Sequence, residues 1–289
     1  MSYETIICAR GPRGVASVTL NRPDRGNAMN PALVDELGSC MQELGADASV
    51  RVIVLRGAGK HFCAGADVGG RGEGEPRFTL ATMLETIERT PKPTIAVVQG
   101  AAAGGGLALV ACCDIVMGTP EAFFTIPEVR LGMAPSVPLA GLFVRAIGLR
   151  AFRRYGYSGE RILAQEAHRL GLVSEIAAAG DMDARLEALI DALLHGAPGA
   201  IATLKARVAD FAAPPVSMLF DPAVRDARHG KSPEADEGIA AFKVAMAPGA
   251  PWSRASMRAS RRASMSLAAA ISLTSPSWRP SCATMRSPE

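Results

Sequence analysis

The sequence carries little net charge and few histidines, and both shortages exclude classes of function. The formal net charge is +3, and the first 249 of the 289 residues hold 25 basic and 27 acidic side chains. A basic surface for nucleic acid would have to lie wholly in the last 40 residues, so we expect no nucleic-acid partner. The four histidines share no metal-ligand spacing, so we expect no metal site.

The cysteines lack the spacing of a zinc or dithiol motif. None of the six has CxxC spacing, and no histidine lies near them in a zinc-finger pattern. Cys112 and Cys113 are neighbours within an apolar run, which is typical of small buried hydrophobic residues. We therefore expect reduced thiols and a cytoplasmic protein.

Targeting and membrane signals are also missing from the sequence. The first ten residues hold no basic region followed by an apolar stretch, so no signal peptide is predicted. Between residues 95 and 113 only Gln99 is conventionally polar, but glycines cluster at 104–106 and the run meets Asp114. This composition favours a buried strand, a turn and a buried helix over a membrane span, and we expect no membrane partner.

The sequence contains none of three common nucleotide-binding and esterase motifs. The dinucleotide fingerprint needs a glycine where Leu109 stands, and a P-loop ending at Lys60 needs one where Val54 stands. No segment has the G-x-S-x-G pattern of a nucleophile elbow.

A recurring pattern along the chain predicts a mixed α/β fold. Residues 5–9 and 15–20 alternate as paired strands, and Asn30 followed by Pro31 predicts a capped helix start. Short apolar strands then recur at residues 52–55, 94–98 and 114–117, each followed by small residues and a helical pattern. The pattern indicates strand–strand–helix units wound side by side.

Composition divides the chain into three regions. Residues 1–195 form the predicted core domain with the candidate functional residues, and residues 196–249 are predicted to be helical. Residues 250–289 contain ten Ser and six Arg but neither Lys nor Gly, unlike the rest of the chain. Either an out-of-frame reading of GC-rich DNA or a basic interaction tail would give this composition, and we expect the tail to be poorly ordered.

Two loops of small residues, 61–67 and 100–106, are candidates for chemistry. Each follows a buried strand and precedes a helical pattern, so its glycines would leave N–H groups facing a ligand. Two such N–H groups at one point would form an oxyanion hole. Taken singly, each loop is better explained by tight packing of helix on strand.

Glu128 is the third candidate. It follows a run of aromatic and aliphatic residues at 123–127, where a carboxylate should be partly desolvated and hold its proton more tightly. An exposed glutamate at a helix start after Pro127 is the alternative.

Together these segments resemble the crotonase (enoyl-CoA hydratase/isomerase) superfamily over residues 3–252. Six segments carry the resemblance, in the family's order: residues 20–29, 62–67, 104–106 with 113–115, 127–132, 167–173 and 237–242. The resemblance implies an α/β spiral of ββα units with a C-terminal helical region that forms trimers, often paired into hexamers. It also implies an acyl-CoA thioester as substrate, with coenzyme A part of that substrate and no separate cofactor.

The resemblance assigns roles to individual residues. The thioester oxygen would lie between the N–H groups of Ala66 and Gly105, with Glu128 as acid and base. Arg22 and Arg25 fall near the family's CoA nucleotide site, although both are equally plausible as solvated surface arginines. The remaining residues expected at the substrate site are Ala64, Gly65, Asp67, Gly104, Ala108 and Ser136.

Two departures from the family pattern leave the reaction open. Ala108 stands where two-glutamate hydratases carry a second Glu, and Ser136 stands where some relatives place a catalytic carboxylate. A single carboxylate suits hydration by one glutamate, as in methylglutaconyl-type hydratases of branched-chain substrates, or Δ3–Δ2 isomerisation. A non-catalytic CoA-ester-binding assembly protein is the third alternative.

Overall fold

Two β-sheets and eight α-helices form the part of the chain that the structure, a computed structural model, describes: residues 3–67 and 77–211. The strands are β1 (Ile6–Arg10), β2 (Val15–Leu20), β3 (Val52–Gly57), β4 (Thr94–Val98), β5 (Ala101–Ala103), β6 (Ile115–Gly118), β7 (Phe123–Thr125), β8 (Arg161–Leu163) and β9 (Glu175–Ile176). The helices are α1 (Pro31–Ala46), α2 (Leu80–Arg89), α3 (Gly105–Cys112), α4 (Val137–Ile147), α5 (Leu149–Ser158), α6 (Ala164–Arg169), α7 (Met182–His195) and α8 (Pro198–Phe211).

The larger sheet has six strands in the order β1-β2-β3-β4-β6-β9. β1 pairs antiparallel with β2, and every later pairing in this sheet is parallel. The smaller sheet has the order β5-β7-β8, with β5 and β7 parallel.

In successive turns of a spiral, the chain passes from the larger sheet to the smaller one and then into a helix. β4 leads to β5 and α3, and β6 leads to β7 and a 3-10 helix at Glu128–Leu131. Single bridges continue the second layer in the preceding turns, where Met29 pairs with Ala66 and Cys63 pairs with Ala102. This is the predicted spiral of ββα units.

Both faces of the larger sheet are covered, which explains why its central strands are apolar without alternation. On one face, Val52 and Val54 of β3 join the apolar residues of α7 in a small cluster. On the other, Ile53 and Leu55 belong to the main core together with the buried sides of α1, α2 and α3. Residues 95–113 form β4, β5 and α3 within this core, so β5 occupies the place of the predicted turn.

Helix α1 begins as its sequence predicts. The Asn30 side chain accepts a hydrogen bond of 3.0 Å from the backbone N–H of Leu33, and Pro31 occupies the first helical position, where no N–H is needed. Its buried residues include Leu33, Val34, Leu37, Met41 and Leu44.

The predicted C-terminal helical region is described only to residue 211. There, the Lys205 ammonium group donates to Asp114 Oδ2 at 2.6 Å and to the carbonyl oxygen of Lys92, which ties α8 to the start of β6. The rest of that region and the tail at 250–289 lie outside the described residues. No helix within the described ranges is long and apolar enough to cross a membrane.

We expect Asn30→Ala to lower the free energy of unfolding by about 1 kcal/mol, because the N–H of Leu33 loses its capping acceptor. Urea denaturation measures the change. Asn30→Asp retains an acceptor oxygen and should stay close to wild type; an Ala variant as stable as the Asp variant would contradict the capping role.

Candidate active site

The two glycine-rich loops predicted from the sequence run side by side. Cys63 N donates to Ala101 O at 3.1 Å, and Ala103 N donates to Cys63 O at 3.0 Å. A Cβ atom on Gly65 would lie only 2.8 Å from Ala103 O, and one on Gly106 would lie 2.3 Å from Cys63 O. The glycines are therefore required for close packing of the loops, and this packing also brings their N–H groups near one another.

The orientation of the peptide group between Gly65 and Ala66 fixes the direction of the Ala66 N–H. The carbonyl of that group, on Gly65, accepts a hydrogen bond of 2.8 Å from Met29 N. In a trans peptide the N–H and C=O point in opposite directions, so the Ala66 N–H faces away from Met29. Asp67 N then donates to Met29 O at 2.9 Å, which holds the next peptide group as well.

The N–H of Gly105 opens α3 and lies close to that of Ala66. A Cβ on Gly105 would be 4.0 Å from Ala66 N, and a Cβ on Gly65 would be 3.7 Å from Gly105 N. Within residues 3–67 and 77–211, neither N–H donates a hydrogen bond to the protein. The helix N-terminus adds a partial positive charge at this point. The arrangement suits an oxygen that carries negative charge.

Glu128 lies against the same turn. Its segment follows β7, and Gly104 N donates to Thr125 O at 3.0 Å, which joins the turn to that strand. A Cβ on Gly104 would be 3.1 Å from Glu128 Oε1. Gly104 also has a φ of 49°, so two constraints favour glycine there.

The carboxyl group of Glu128 is largely buried. Its Oε2 atom is inaccessible to solvent and has no hydrogen-bond partner among the described residues. Burial raises the pKa of Glu128 above its ordinary value of 4.5, and a hydrogen bond from its own backbone N–H only partly offsets this. Glu128 does begin a short helix, but it is not the exposed helix-start glutamate of the alternative interpretation.

Arg22 makes its contacts within the protein. Its Nη2 lies 3.0 Å from Asp67 Oδ2, and its Nη1 donates to the carbonyl oxygen of Ala28. Arg25 is exposed at the end of the 3-10 helix Pro23–Arg25. The phosphate-binding role expected of both arginines stays a prediction.

The other candidates lie in different environments. Ala64 and Asp67 are half-buried in the first loop, while Ala66 is exposed. Ala108 is fully buried one turn into α3, so no carboxylate enters the site from that position. Ser136 caps α4 through its backbone carbonyl, which accepts from Ala140 N at 2.9 Å.

Asn27 is an organising residue that lies in one of the segments carrying the family resemblance, but the sequence analysis gave it no role. It is fully buried with a left-handed φ of 56°. Its side-chain amide donates to Ala58 O at 2.9 Å and His61 O at 2.8 Å, and its Oδ1 accepts from Arg22 N. A buried asparagine with three bonds fixes the first glycine loop to residues 22–27. The sequence signal that could have indicated its burial was a polar residue directly before the apolar pair Ala28-Met29.

His61 was also missed. Its Nδ1 accepts a hydrogen bond of 3.1 Å from Ala101 N, which links the two loops a second time. Burial lowers the pKa of His61 below its ordinary value of 6.5, and the nearby charges of Lys60 and Arg161 add to this effect. A neutral imidazole is consistent with its role as an acceptor.

The sequence and the fold both match those of known proteins. The sequence model of the enoyl-CoA hydratase/isomerase family matches residues 10–243. The chain therefore belongs to the enoyl-CoA hydratase/isomerase family, part of the crotonase superfamily.

Curated relatives carry both hydratase and isomerase names. The mitochondrial Δ(3,5)-Δ(2,4)-dienoyl-CoA isomerase of Mus musculus is 35% identical over 205 residues, which are 65% of this chain and 62% of that protein. A putative enoyl-CoA hydratase/isomerase of Bacillus subtilis is 34% identical over 199 residues, 66% of this chain and 76% of that protein. The match thus spans less than two thirds of the mouse enzyme.

Solved structures share the fold over most of their length. A Mycobacterium avium subsp. paratuberculosis enoyl-CoA hydratase superposes with a TM-score of 0.74 at 29% identity, covering 84% of this chain and 97% of that one.

Because the carboxyl group of Glu128 is buried, we predict that its effect on the stability of the protein depends on pH. Because the pKa of Glu128 is raised in the folded state, the unfolded chain ionises first as the pH rises. The carboxyl therefore destabilises the fold increasingly above its unfolded pKa, and the cost levels off above the folded pKa. We expect wild type to lose stability relative to Glu128→Gln as the pH rises above 4.5, as measured by thermal unfolding of both proteins.

Glu121→Gln provides the matched control, since Glu121 is exposed on the same segment. It shows what the loss of one exposed carboxylate does to the stability of the protein. A pH-independent difference for Glu128→Gln would mean that its carboxyl is solvated.

Proposed function

We propose that the protein is an enoyl-CoA hydratase-like lyase that adds water across the 2,3 double bond of an enoyl-CoA thioester. One observation carries the proposal: a buried carboxyl oxygen of Glu128, without a partner among the described residues, beside the turn that carries the Gly105 N–H. A buried polar atom without a partner is costly, and such atoms are concentrated at functional sites.

The Ala66 and Gly105 N–H groups would form the oxyanion hole for the thioester carbonyl. Addition at the β-carbon moves negative charge onto that oxygen and gives an enolate. Donors held in place before the reaction stabilise this charge, and one such donor contributes about 10²–10³ in rate. Two observations support this role: the two loops lie close together, and neither N–H has an acceptor within the described ranges.

Glu128 would supply both proton transfers. As a carboxylate it takes a proton from the water whose oxygen bonds to the β-carbon, while the double-bond electrons move toward the thioester oxygen. The protonated acid then returns the proton to the α-carbon as the enolate collapses. A raised pKa suits both roles, because it brings the acid and base forms closer to equal population near neutral pH.

A Δ3–Δ2 isomerase is the second candidate, because Ala108 supplies no second carboxylate, and a single carboxylate suits isomerisation as well as hydration. With no second carboxylate at that position, one base could take a proton from the α-carbon and return it to the γ-carbon. Relatives named as dienoyl-CoA isomerases at 34–35% identity are consistent with chemistry of this kind.

We also propose that the protein assembles as a homotrimer or a pair of trimers in the cytoplasm. Support comes from large apolar side chains that remain exposed around the Glu128 segment and the helices after it. They are Val129, Val137, Leu149 and Leu163.

Three substrates separate the alternatives in a spectrophotometric assay. Hydration of crotonyl-CoA or 3-methylglutaconyl-CoA supports the lyase, and the second would identify a branched-chain substrate. Turnover of 3-hexenoyl-CoA alone supports the isomerase. Binding of these thioesters without turnover of any would contradict both and favour a non-catalytic protein.

We expect Glu128→Gln to bind the thioester with little change and to lower kcat by about 10²–10⁴, the usual contribution of a positioned acid or base. The wild-type kcat/KM should rise with pH through a pKa above 4.5, because the reaction begins from the carboxylate. An unchanged kcat in the variant would exclude Glu128 as the acid and base. Glu121→Gln is the control and should behave as wild type.

A further inference from the structure

The contacts of Arg22 do not resemble those of a surface arginine. Its side chain is 18% exposed and that of its partner Asp67 is 19% exposed. The two residues are 45 positions apart in sequence, and Asp67 directly follows Ala66. An ion pair in this partly buried position contributes more than an exposed pair, because solvent screens it less.

The other terminal nitrogen of Arg22 begins a chain of hydrogen bonds. Nη1 donates to the carbonyl oxygen of Ala28, and the N–H of that same peptide group, on Met29, donates to Gly65 O at 2.8 Å. The N–H of the Gly65 peptide group is that of Ala66. Two trans peptide groups thus connect a guanidinium to the proposed oxyanion hole.

Such a chain has an electronic consequence. A donor at a peptide carbonyl polarises the whole peptide group and makes its N–H a stronger donor. Neighbouring bonds in a chain strengthen one another by about 10–30% each. The first donor here is charged, and charge-assisted bonds are roughly twice as strong as neutral ones. Met29 is 5% exposed, so little water competes along this path.

We propose that Arg22 is a positioning residue that aims and polarises the Ala66 N–H through the peptide groups Ala28–Met29 and Gly65–Ala66. This inference rests on the proposed function, since it requires that Ala66 N–H bind the thioester oxygen. It gives Arg22 a role at the carbonyl end of the substrate, whereas the family resemblance suggested the CoA phosphates.

Two probes distinguish these roles. Free CoA carries the phosphates but no thioester carbonyl, so its Kd reports phosphate contacts alone. A cinnamoyl-type CoA thioester absorbs at longer wavelength when its conjugated carbonyl is polarised, so its spectral shift on binding reports the oxyanion hole.

We expect Arg22→Met to reduce the red shift of the bound thioester and to lower kcat by about 10-fold, the scale of one charge-assisted hydrogen bond. The Kd of free CoA should stay within about twofold of wild type. An unchanged red shift and kcat would overturn the inference. A Kd for free CoA that weakens as much as kcat/KM falls would overturn it in favour of phosphate binding.

Arg22→Met also removes the positive charge next to Asp67 and needs its own control, because the negative charge of Asp67 would then itself disfavour an anion nearby. In the double variant Arg22→Met/Asp67→Asn that charge is removed. The red shift should stay below that of wild type if the peptide groups transmit the effect of Arg22. Full recovery in the double variant would overturn the inference.

Folding of the variants is checked by thermal unfolding, with Arg169→Met as the matched control. Arg169 also pairs with a carboxylate, Glu166, but on α6 and outside the candidate site. Its removal should leave the red shift unchanged. If Arg22→Met does not fold, Arg22→Gln replaces it: its amide group carries no positive charge, so a red shift equal to wild type would overturn the inference.

The proposed function can fail separately. A wild-type protein that neither turns over an enoyl-CoA nor shifts the thioester spectrum would overturn both proposals. If wild type does both, the variants test Arg22 alone.

Discussion

The hydrogen bond from Met29 N to Gly65 O is the constraint on which the candidate site depends. It joins the first turn of the spiral to the second and fixes the orientation of the peptide group between Gly65 and Ala66. The second loop is then placed by the contacts of Cys63 with Ala101 and Ala103. These are ordinary backbone bonds, yet they leave two N–H groups near one another with no acceptor in the described part of the chain. Repetition of the ββα unit therefore gives the site its geometry.

The same repetition explains why Glu128 is buried. Successive turns extend the second layer, and β7 lies beside β5 with Thr125 O accepting from Gly104 N. The residues just after β7 must consequently pass over the start of α3. The carboxyl group loses hydration in this position, and this loss raises its pKa. A site of this kind needs only small residues, one acid and a rigid scaffold.

Side chains that bind the backbone of the loops also help to fix the geometry of the candidate site. Asn27 binds Ala58 and His61 by their carbonyl oxygens, and His61 in turn accepts from Ala101 N. Both contacts hold the first loop before a ligand arrives. Because misplacement by about 1 Å can cost 10²-fold in rate, such contacts matter to catalysis as well as to stability.

The sequence by itself determined the local features: the capped start of α1, the buried central strands, the small-residue loops and a glutamate after an apolar run. These follow from short-range propensities and from the periodicity of apolar residues, which neighbouring positions set. The family motifs added the identity of the candidate residues. Only the tertiary structure decided that Arg22 contacts Asp67, that the N–H groups of Ala66 and Gly105 lie close together, and that Glu128 Oε2 is buried without a described partner. Those facts depend on the register between segments 24 to 45 residues apart in the sequence, which local sequence does not encode.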